Sequence, residues 1–216
     1  MISETLSLFS QSADVIEYVP ADDRLIVVSG NLERVKGLAF FPQFVTFGEE
    51  RVLLWEADRE GEWSTHWSRR TKSFGSAYLH GLSDTDVDRS AKPLPQWSDF
   101  IRLRLVEDQI LARLPNQMGI NEYMPGQGIA QHVDYFGGSV ASLTLGSGCI
   151  MDFTDPERGR DTVSIWLPRR SIVVLTGEAR NIWRHGIRGR LKDIVDGHVV
   201  RRSRRVSLTF RDVILN

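Results

Sequence analysis

His132 and Asp134 stand two residues apart in Gln131-His132-Val133-Asp134. On a strand, that spacing turns an imidazole and a carboxylate to the same face, where both can converge on one ion. The pair alone says little, because a His near an Asp is most often a surface pair or a hydrogen-bonded core pair. A third ligand from another strand would change its meaning: two His and one carboxylate, with positions left open, make the facial triad suited to non-haem Fe(II). Of the five histidines, His66 and His80 belong to the first half and His198 to a polar, charged loop. His185 follows the apolar segment 171–175, inside Gly177-Glu178-Ala179-Arg180-Asn181-Ile182-Trp183-Arg184-His185-Gly186-Ile187. Gly186 directly after it lets other groups approach the backbone closely. The bland alternative for His185 is a capped loop histidine.

Two further segments carry charge or hydrogen-bonding groups at strand spacing. In Arg205-Val-Ser-Leu-Thr-Phe-Arg211, alternation puts Arg205, Ser207, Thr209 and Arg211 on one face and Val206, Leu208 and Phe210 on the other. Guanidinium groups directed into a protein interior are costly without anionic partners, and a small dicarboxylate would be a natural one. An edge strand with its polar face in water is the competing reading. Asn121-Glu122-Tyr123 likewise places an amide and a phenol on one face, before a Met-Pro-Gly-Gln-Gly turn that folds the chain back toward His132.

These side chains need strands to hold them, and the second half supplies the pattern. From Gly119 onward, short β-prone segments at 121–124, 129–135, 140–145, 150–153, 162–167, 171–175 and 205–213 are divided by Gly, Pro and charged turns. That arrangement implies an antiparallel sandwich, jelly roll or barrel. Ahead of it lie a short strand at 25–28, an apolar segment at 38–47 broken by Pro42, and a helix or strand at 49–57. Hairpin-like material follows at 63–78, then a polar loop at 83–95 and an amphipathic helix at about 96–114 ended by Pro115. The chain has 216 residues, 41% of them hydrophobic and 25% charged, which suits one domain, or one domain with a substantial extension, and excludes a wholly disordered, collagenous or coiled-coil chain. Apolar runs are too short to span a bilayer as helices, and the opening residues lack a signal-peptide pattern. The lone Cys149 rules out an internal disulfide framework. An intracellular, cytoplasmic protein is expected, with the nucleus as the other compartment, and a monomer. A net charge of −1 gives no global argument for a polyanion, although basic residues gather at 69–72 and 201–205.

Taken together, Asn121-x-Tyr123-x-Pro125-Gly126, His132-x-Asp134, His185-Gly186-Ile187 and Arg205-x5-Arg211 resemble the AlkB-like dioxygenases that use Fe(II) and 2-oxoglutarate. The resemblance covers about residues 115–213, with 142–148 and Gly177-Glu178-Ala179-Arg180 also similar. It implies a mainly β fold with flanking helices: a double-stranded β-helix (jelly-roll) core at 116–216, and an N-terminal α/β lid extension at 25–115 preceded by an irregular arm at 1–24. It further implies His132, Asp134 and His185 as iron ligands, with Asn121, Tyr123 and Arg205 on the far carboxylate of 2-oxoglutarate. Arg211 would pair with the carboxylate beside the keto group. Three protein ligands leave three positions for the keto acid and dioxygen. The implied reaction splits 2-oxoglutarate to succinate and carbon dioxide and oxidises an N-linked alkyl carbon of a DNA or RNA base.

On the substrate side, Trp67-Ser-Arg69-Arg70-Thr-Lys72-Ser-Phe74-Gly75 is similar to the family's lid. Arg69, Arg70 and Lys72 would be phosphate contacts, and Phe74 or Tyr78 would either stack on a flipped base or belong to the core of the lid. Phe136 is a further candidate contact, and a departure: the DNA-repair branch carries an acidic residue at that offset from the aspartate. The alternatives are the same chemistry on a protein or small-molecule substrate, or a non-catalytic jelly-roll binding module.

Overall fold

The computed structural model describes residues 32–75, 77–78, 87–88, 92–134, 138–155, 157 and 162–213. The arm at 1–24, the strand expected at 25–28, His80 and Phe136 lie outside the described residues.

The first half supplies β1 (Leu38–Phe41), α1 (Phe47–Arg59), β2 (Arg70–Gly75), the short pair β3 (Ala77–Tyr78) and β4 (Val87–Asp88), and α2 (Asp99–Glu107). The second half supplies β5 (Gln117–Tyr123), β6 (Ile129–His132), β7 (Val140–Leu145), β8 (Cys149–Thr154), β9 (Thr162–Leu167) and β10 (Ile172–Leu175). After these come α3 (Gly177–Asn181), β11 (Arg184–Ile187), β12 (Lys192–Val195), β13 (His198–Arg201) and β14 (Arg205–Arg211).

Segment 49–57 is a helix because its start is chemically fixed. The Thr46 hydroxyl accepts from the Glu49 N–H at 3.2 Å, and the Glu49 carboxylate accepts from the Thr46 N–H at 2.7 Å, a reciprocal capping box. Glu50, Leu53 and Ala57 then face inward at helical spacing. The second helix stops earlier than expected. After a 3-10 turn at Gln96–Ser98, α2 ends at Glu107, well before Pro115. Gln109 takes a left-handed conformation (φ 57°), and the N–H groups of Ile110 and Leu111 turn back to the Leu105 carbonyl. That closes the helix end by the usual left-handed route.

Two sheets make the body. The larger has the order β1-β10-β7-β14-β5-β2, the smaller β6-β11-β8-β9. β1 and β2, from the region ahead of residue 116, are hydrogen-bonded into the larger sheet beside strands of the second half. One core lies between that sheet and the helices: Leu53, Ala57, Ile101 and Leu105 pack on Met118, Ile120, Leu143, Val206, Leu208 and Phe210. The other lies between the sheets, where Val140 and Val173 meet Met151, Phe153 and Ile165. The alternation along β14 therefore has a direct meaning: its apolar residues face the helices, and its polar set faces the second sheet.

On the helix side, charge pairs join these layers. The Glu122 carboxylate, 3% exposed, takes both the Arg70 and Arg204 guanidiniums. Glu49 pairs with Arg104. The Arg104 hydrogen bond, working against burial, pulls the Glu49 carboxyl from 4.5 down to about 2. The hydrogen bond from Arg70 likewise holds Glu122 below the ordinary carboxylate range. A depressed folded pKa adds stability that is full above the unfolded value and lost as pH falls through the folded one. Unfolding stability is expected to fall steadily from about pH 4.5 to about pH 2. The variant E49Q should show a shallower loss in urea titrations across that window, whereas an equal slope in both proteins would refute the pairing.

Candidate active site

The pairing of β6 with β11 sets His132 directly opposite His185, with ring centroids 4.4 Å apart. The glycine after His185 permits this approach: a Cβ on Gly186 would lie 2.9 Å from the Ile129 carbonyl oxygen and 3.0 Å from the Gln131 nitrogen. Asp134 lies two residues past the end of β6, so it reaches the histidines from a loop and not from the strand as expected. Its Oδ2 is 3.7 Å from His185 Nε2. The candidate ligand atoms of His132, Asp134 and His185 all fall within 4.8 Å of one another. Nδ1 of His132 is taken by the Ala130 carbonyl at 2.9 Å, leaving Nε2 as its free nitrogen.

The electrostatics suit a cation. Burial, chiefly, pushes the His185 imidazole down to about 4, so its ring stays neutral with a lone pair to give. Burial disfavours ionisation of Asp134, but Arg211, His185 and Arg180 outweigh it and keep the carboxyl below its ordinary range. Asp134 Oδ2 and His185 Nδ1 are buried without a hydrogen-bond partner. A buried carboxylate oxygen so placed, 3.7 Å from His185 Nε2, would be costly unless a cation occupies the space beside it.

Beside this cluster, the larger sheet presents a polar wall. In the β14–β5 register Arg205 is opposite Tyr123, Ser207 opposite Asn121, and Arg211 opposite Gln117. Arg205 is 3% exposed and donates one bond, from Nη2 to the Thr144 hydroxyl at 2.9 Å, while its Nε and Nη1 have no partner. Arg211 donates to Gln117 at 3.3 Å and approaches Asp134 Oδ1 at 3.6 Å, with Nε unpartnered. Gly119 makes room for it, since a Cβ there would sit 3.3 Å from Arg211 Nη1. Next to Arg205 opens a small pocket lined by Tyr123, Gln127, Cys149, Ile187, Arg202 and Ser203, among others. Buried guanidiniums with idle donors, spaced along one strand from the pocket to the cluster, fit a molecule with a carboxylate at each end.

The basic lid segment divides by strand parity. Arg70, Lys72 and Phe74 oppose Glu122, Ile120 and Met118, on the sheet face that meets the helices. Arg70 is committed to Glu122. Lys72 is 6% exposed and donates to the carbonyls of Ala57 and Glu60, both at 2.7 Å, closing the end of α1. Phe74 is 3% exposed within the helix-side core. None of these three faces the cavity as a phosphate or base contact would. Only Arg69 lies on the cavity side, where its Nε donates to Asn121 Oδ1 at 3.0 Å. Of Tyr78 only the backbone, in β3, is described.

One participant had no role assigned from sequence. Arg180, 1% exposed, donates to the Asp134 main-chain carbonyl at 2.6 Å and fixes the loop that carries this carboxylate. Its signal was the Gly177-Glu178-Ala179-Arg180 string, a short helix that gives no hint of pointing inward.

Comparison with known proteins agrees with this geometry. The family model described as "2OG-Fe(II) oxygenase superfamily" matches residues 37–211. The uncharacterized protein L905 of Acanthamoeba polyphaga mimivirus is 32% identical over 186 residues, covering 84% of this chain and 87% of that protein. The tRNA (carboxymethyluridine(34)-5-O)-methyltransferase alkbh8 of Xenopus tropicalis is 34% identical over 82% of this chain, which spans 32% of that protein's length. The "Probable RNA/DNA demethylase ALKBH6" of Danio rerio is 29% identical, with 81% of this chain and 84% of that protein covered. Among solved structures, OsALKBH1 superposes with a TM-score of 0.60 at 15% identity, covering 82% of this chain and 98% of that one, a likeness of fold. The chain therefore belongs to the 2OG-Fe(II) oxygenase superfamily, as an AlkB-like non-haem iron dioxygenase whose cofactor and cosubstrates are Fe(II), 2-oxoglutarate and dioxygen.

Proposed function

We propose that this dioxygenase oxidises alkyl groups on nucleic-acid bases, with His132, Asp134 and His185 as the iron ligands. The observation that carries the metal assignment is the convergence of the three side chains, with Asp134 Oδ2 buried and unpartnered among them. Iron with 2-oxoglutarate supplies the oxidising power, consuming dioxygen and releasing succinate and carbon dioxide. The protein's own part is to bind, orient and shield. Arg205 and the Tyr123 phenol, which burial keeps protonated and able to donate, would hold the far carboxylate of 2-oxoglutarate. Asn121 would join them. Because Arg69 occupies its Oδ1, its amide NH2 is the group left to donate. Arg211 would meet the carboxylate near the metal. Arg180 holds the Asp134 loop in register with the histidines.

A nucleic-acid substrate is supported by the relatives. Their printed names are a tRNA (carboxymethyluridine(34)-5-O)-methyltransferase, a "Probable RNA/DNA demethylase" and, in Caenorhabditis elegans, a "DNA N6-methyl adenine demethylase". The chain spans 32% of the first of these, so the methyltransferase named there is not carried over. The test is a panel of methylated DNA and RNA oligonucleotides and total tRNA, incubated with enzyme, Fe(II) and 2-oxoglutarate. Mass spectrometry should show loss or hydroxylation of a base alkyl group with matching succinate. Succinate formation that no nucleic acid stimulates would point to a protein or small-molecule substrate.

The Arg69 contact yields a further expected result. Removing a hydrogen bond that orients a ligand-binding amide costs about 1 kcal/mol, or roughly fivefold in affinity. R69A should raise the 2-oxoglutarate KM by roughly that factor at constant kcat. An unchanged KM would show that Asn121 needs no such support.

A further inference from the structure

Beyond the active site, the β12–β13 hairpin is built in a way its fold does not require. Its two faces differ sharply. The inner face carries Asp193 and Val195, both about 1% exposed. Asp193 is gripped by the Arg202 guanidinium through both carboxylate oxygens and approached by Arg190 at 3.7 Å. Arg202 also donates to the Arg188 carbonyl at 2.7 Å and borders the pocket beside Arg205. The hairpin is therefore pinned at its base beside the active site.

The outer face has no partner among the described residues. Lys192 lies directly opposite Arg201, and Ile194 directly opposite Val199. Like charges set opposite each other on one face of an antiparallel pair destabilise it, and neither cation has an ion partner among the described residues. Ile194 and Val199 are 64% and 59% exposed, and neighbouring Leu191 is 69% exposed. The charge is concentrated as well. From residue 184 to 202 the sequence holds Arg184, Arg188, Arg190, Lys192, Arg201 and Arg202 against Asp193 and Asp196, in a chain whose net charge is −1.

We propose that the outer face of the β12–β13 hairpin is a docking surface for the phosphate backbone of the nucleic-acid substrate, separate from the residues that receive the base. Lys192 and Arg201 meet phosphates, and the aliphatic residues between them pack on sugars. Charge complementarity selects this occupant: the face carries cations and no carboxylate, so a polyanion relieves the repulsion that the hairpin otherwise bears. The hairpin leads into the Arg205 end of β14, beside the pocket that Arg202 borders. The surface rests on the nucleic-acid reading above.

The test compares wild type with K192Q/R201Q and K192R/R201K by fluorescence anisotropy on labelled total tRNA and on a DNA duplex over a salt series. Loss of two phosphate contacts should weaken binding about tenfold and reduce the salt slope by about two, while the charge-preserving pair binds like wild type. Uncoupled 2-oxoglutarate decarboxylation should be the same in all three, showing an intact active site. If wild type binds and K192Q/R201Q binds equally well with an unchanged slope, the docking surface is refuted and the substrate reading stands. If wild type binds no nucleic acid at low salt, both fall. If sedimentation shows a wild-type dimer that I194S/V199S dissociates, the face is a self-interface and the docking proposal is overturned.

Discussion

Replacing Asp134 with Ala should abolish 2-oxoglutarate turnover and lower metal affinity at least about 100-fold, since altering a residue that merely supports a metal ligand already costs 10–100-fold. The same substitution removes the carboxylate that Arg211 and Arg180 both face, so it leaves two cations more isolated at the cluster. Two measurements separate these effects. Wild-type protein should gain thermal stability with Mn(II), because a ligand that binds only the folded state stabilises by mass action. D134A should melt at the same temperature with and without Mn(II). A wild-type-like metal-induced rise in D134A would remove Asp134 from the metal site.

Arg205→Met should produce the second large effect, with opposite signs on function and stability. Truncating one partner of a buried, hydrogen-bonded charge pair costs about 2–5 kcal/mol of binding, so 2-oxoglutarate affinity should fall between about 30-fold and several thousand-fold. The protein without its cosubstrate, however, carries a buried guanidinium with two idle donors, Nε and Nη1. An apolar side chain of similar length relieves that burden, and such replacements are often neutral or stabilising. R205M should therefore melt at or above the wild-type temperature while requiring far more 2-oxoglutarate. A destabilised R205M with unaltered 2-oxoglutarate binding would mean that Arg205 is a structural residue only.

How far the sequence could be read depended on whether a local pattern determined the answer. Alternation in 205–211 assigned faces correctly, because a half-buried strand must separate polar from apolar side chains and nothing else in the chain was needed. His132 and His185 were recognisable as candidates, but their apposition depends on the β6–β11 register and on the space Gly186 leaves. The basic lid segment failed for the same reason. Arg69, Arg70 and Lys72 look alike in sequence, yet pairing with β5 sends Arg70 and Lys72 to the helix side and leaves only Arg69 near Asn121. Which parity faces the cavity is set by a partner strand some fifty residues away, as the Arg70–Glu122 separation of 52 shows. The end of α2 was misjudged because Gln109 adopts a left-handed turn that no Gly announces. The β12–β13 hairpin was passed over as polar loop although its turn was legible: Asp196 and Gly197, both left-handed (φ 47° and 79°), form the two-residue connection between the paired Val195 and His198.

The central assignment, one metal held by His132, Asp134 and His185 with 2-oxoglutarate stretched between Arg211 and Arg205, is tested most directly by diffraction from crystals grown anaerobically with Mn(II) and 2-oxoglutarate. Anomalous density at a single position touching all three side chains, with the keto acid reaching from that ion to the Arg205 guanidinium, is the expected outcome. An ion bound elsewhere, or a keto acid that leaves Arg205 without a carboxylate, would contradict it.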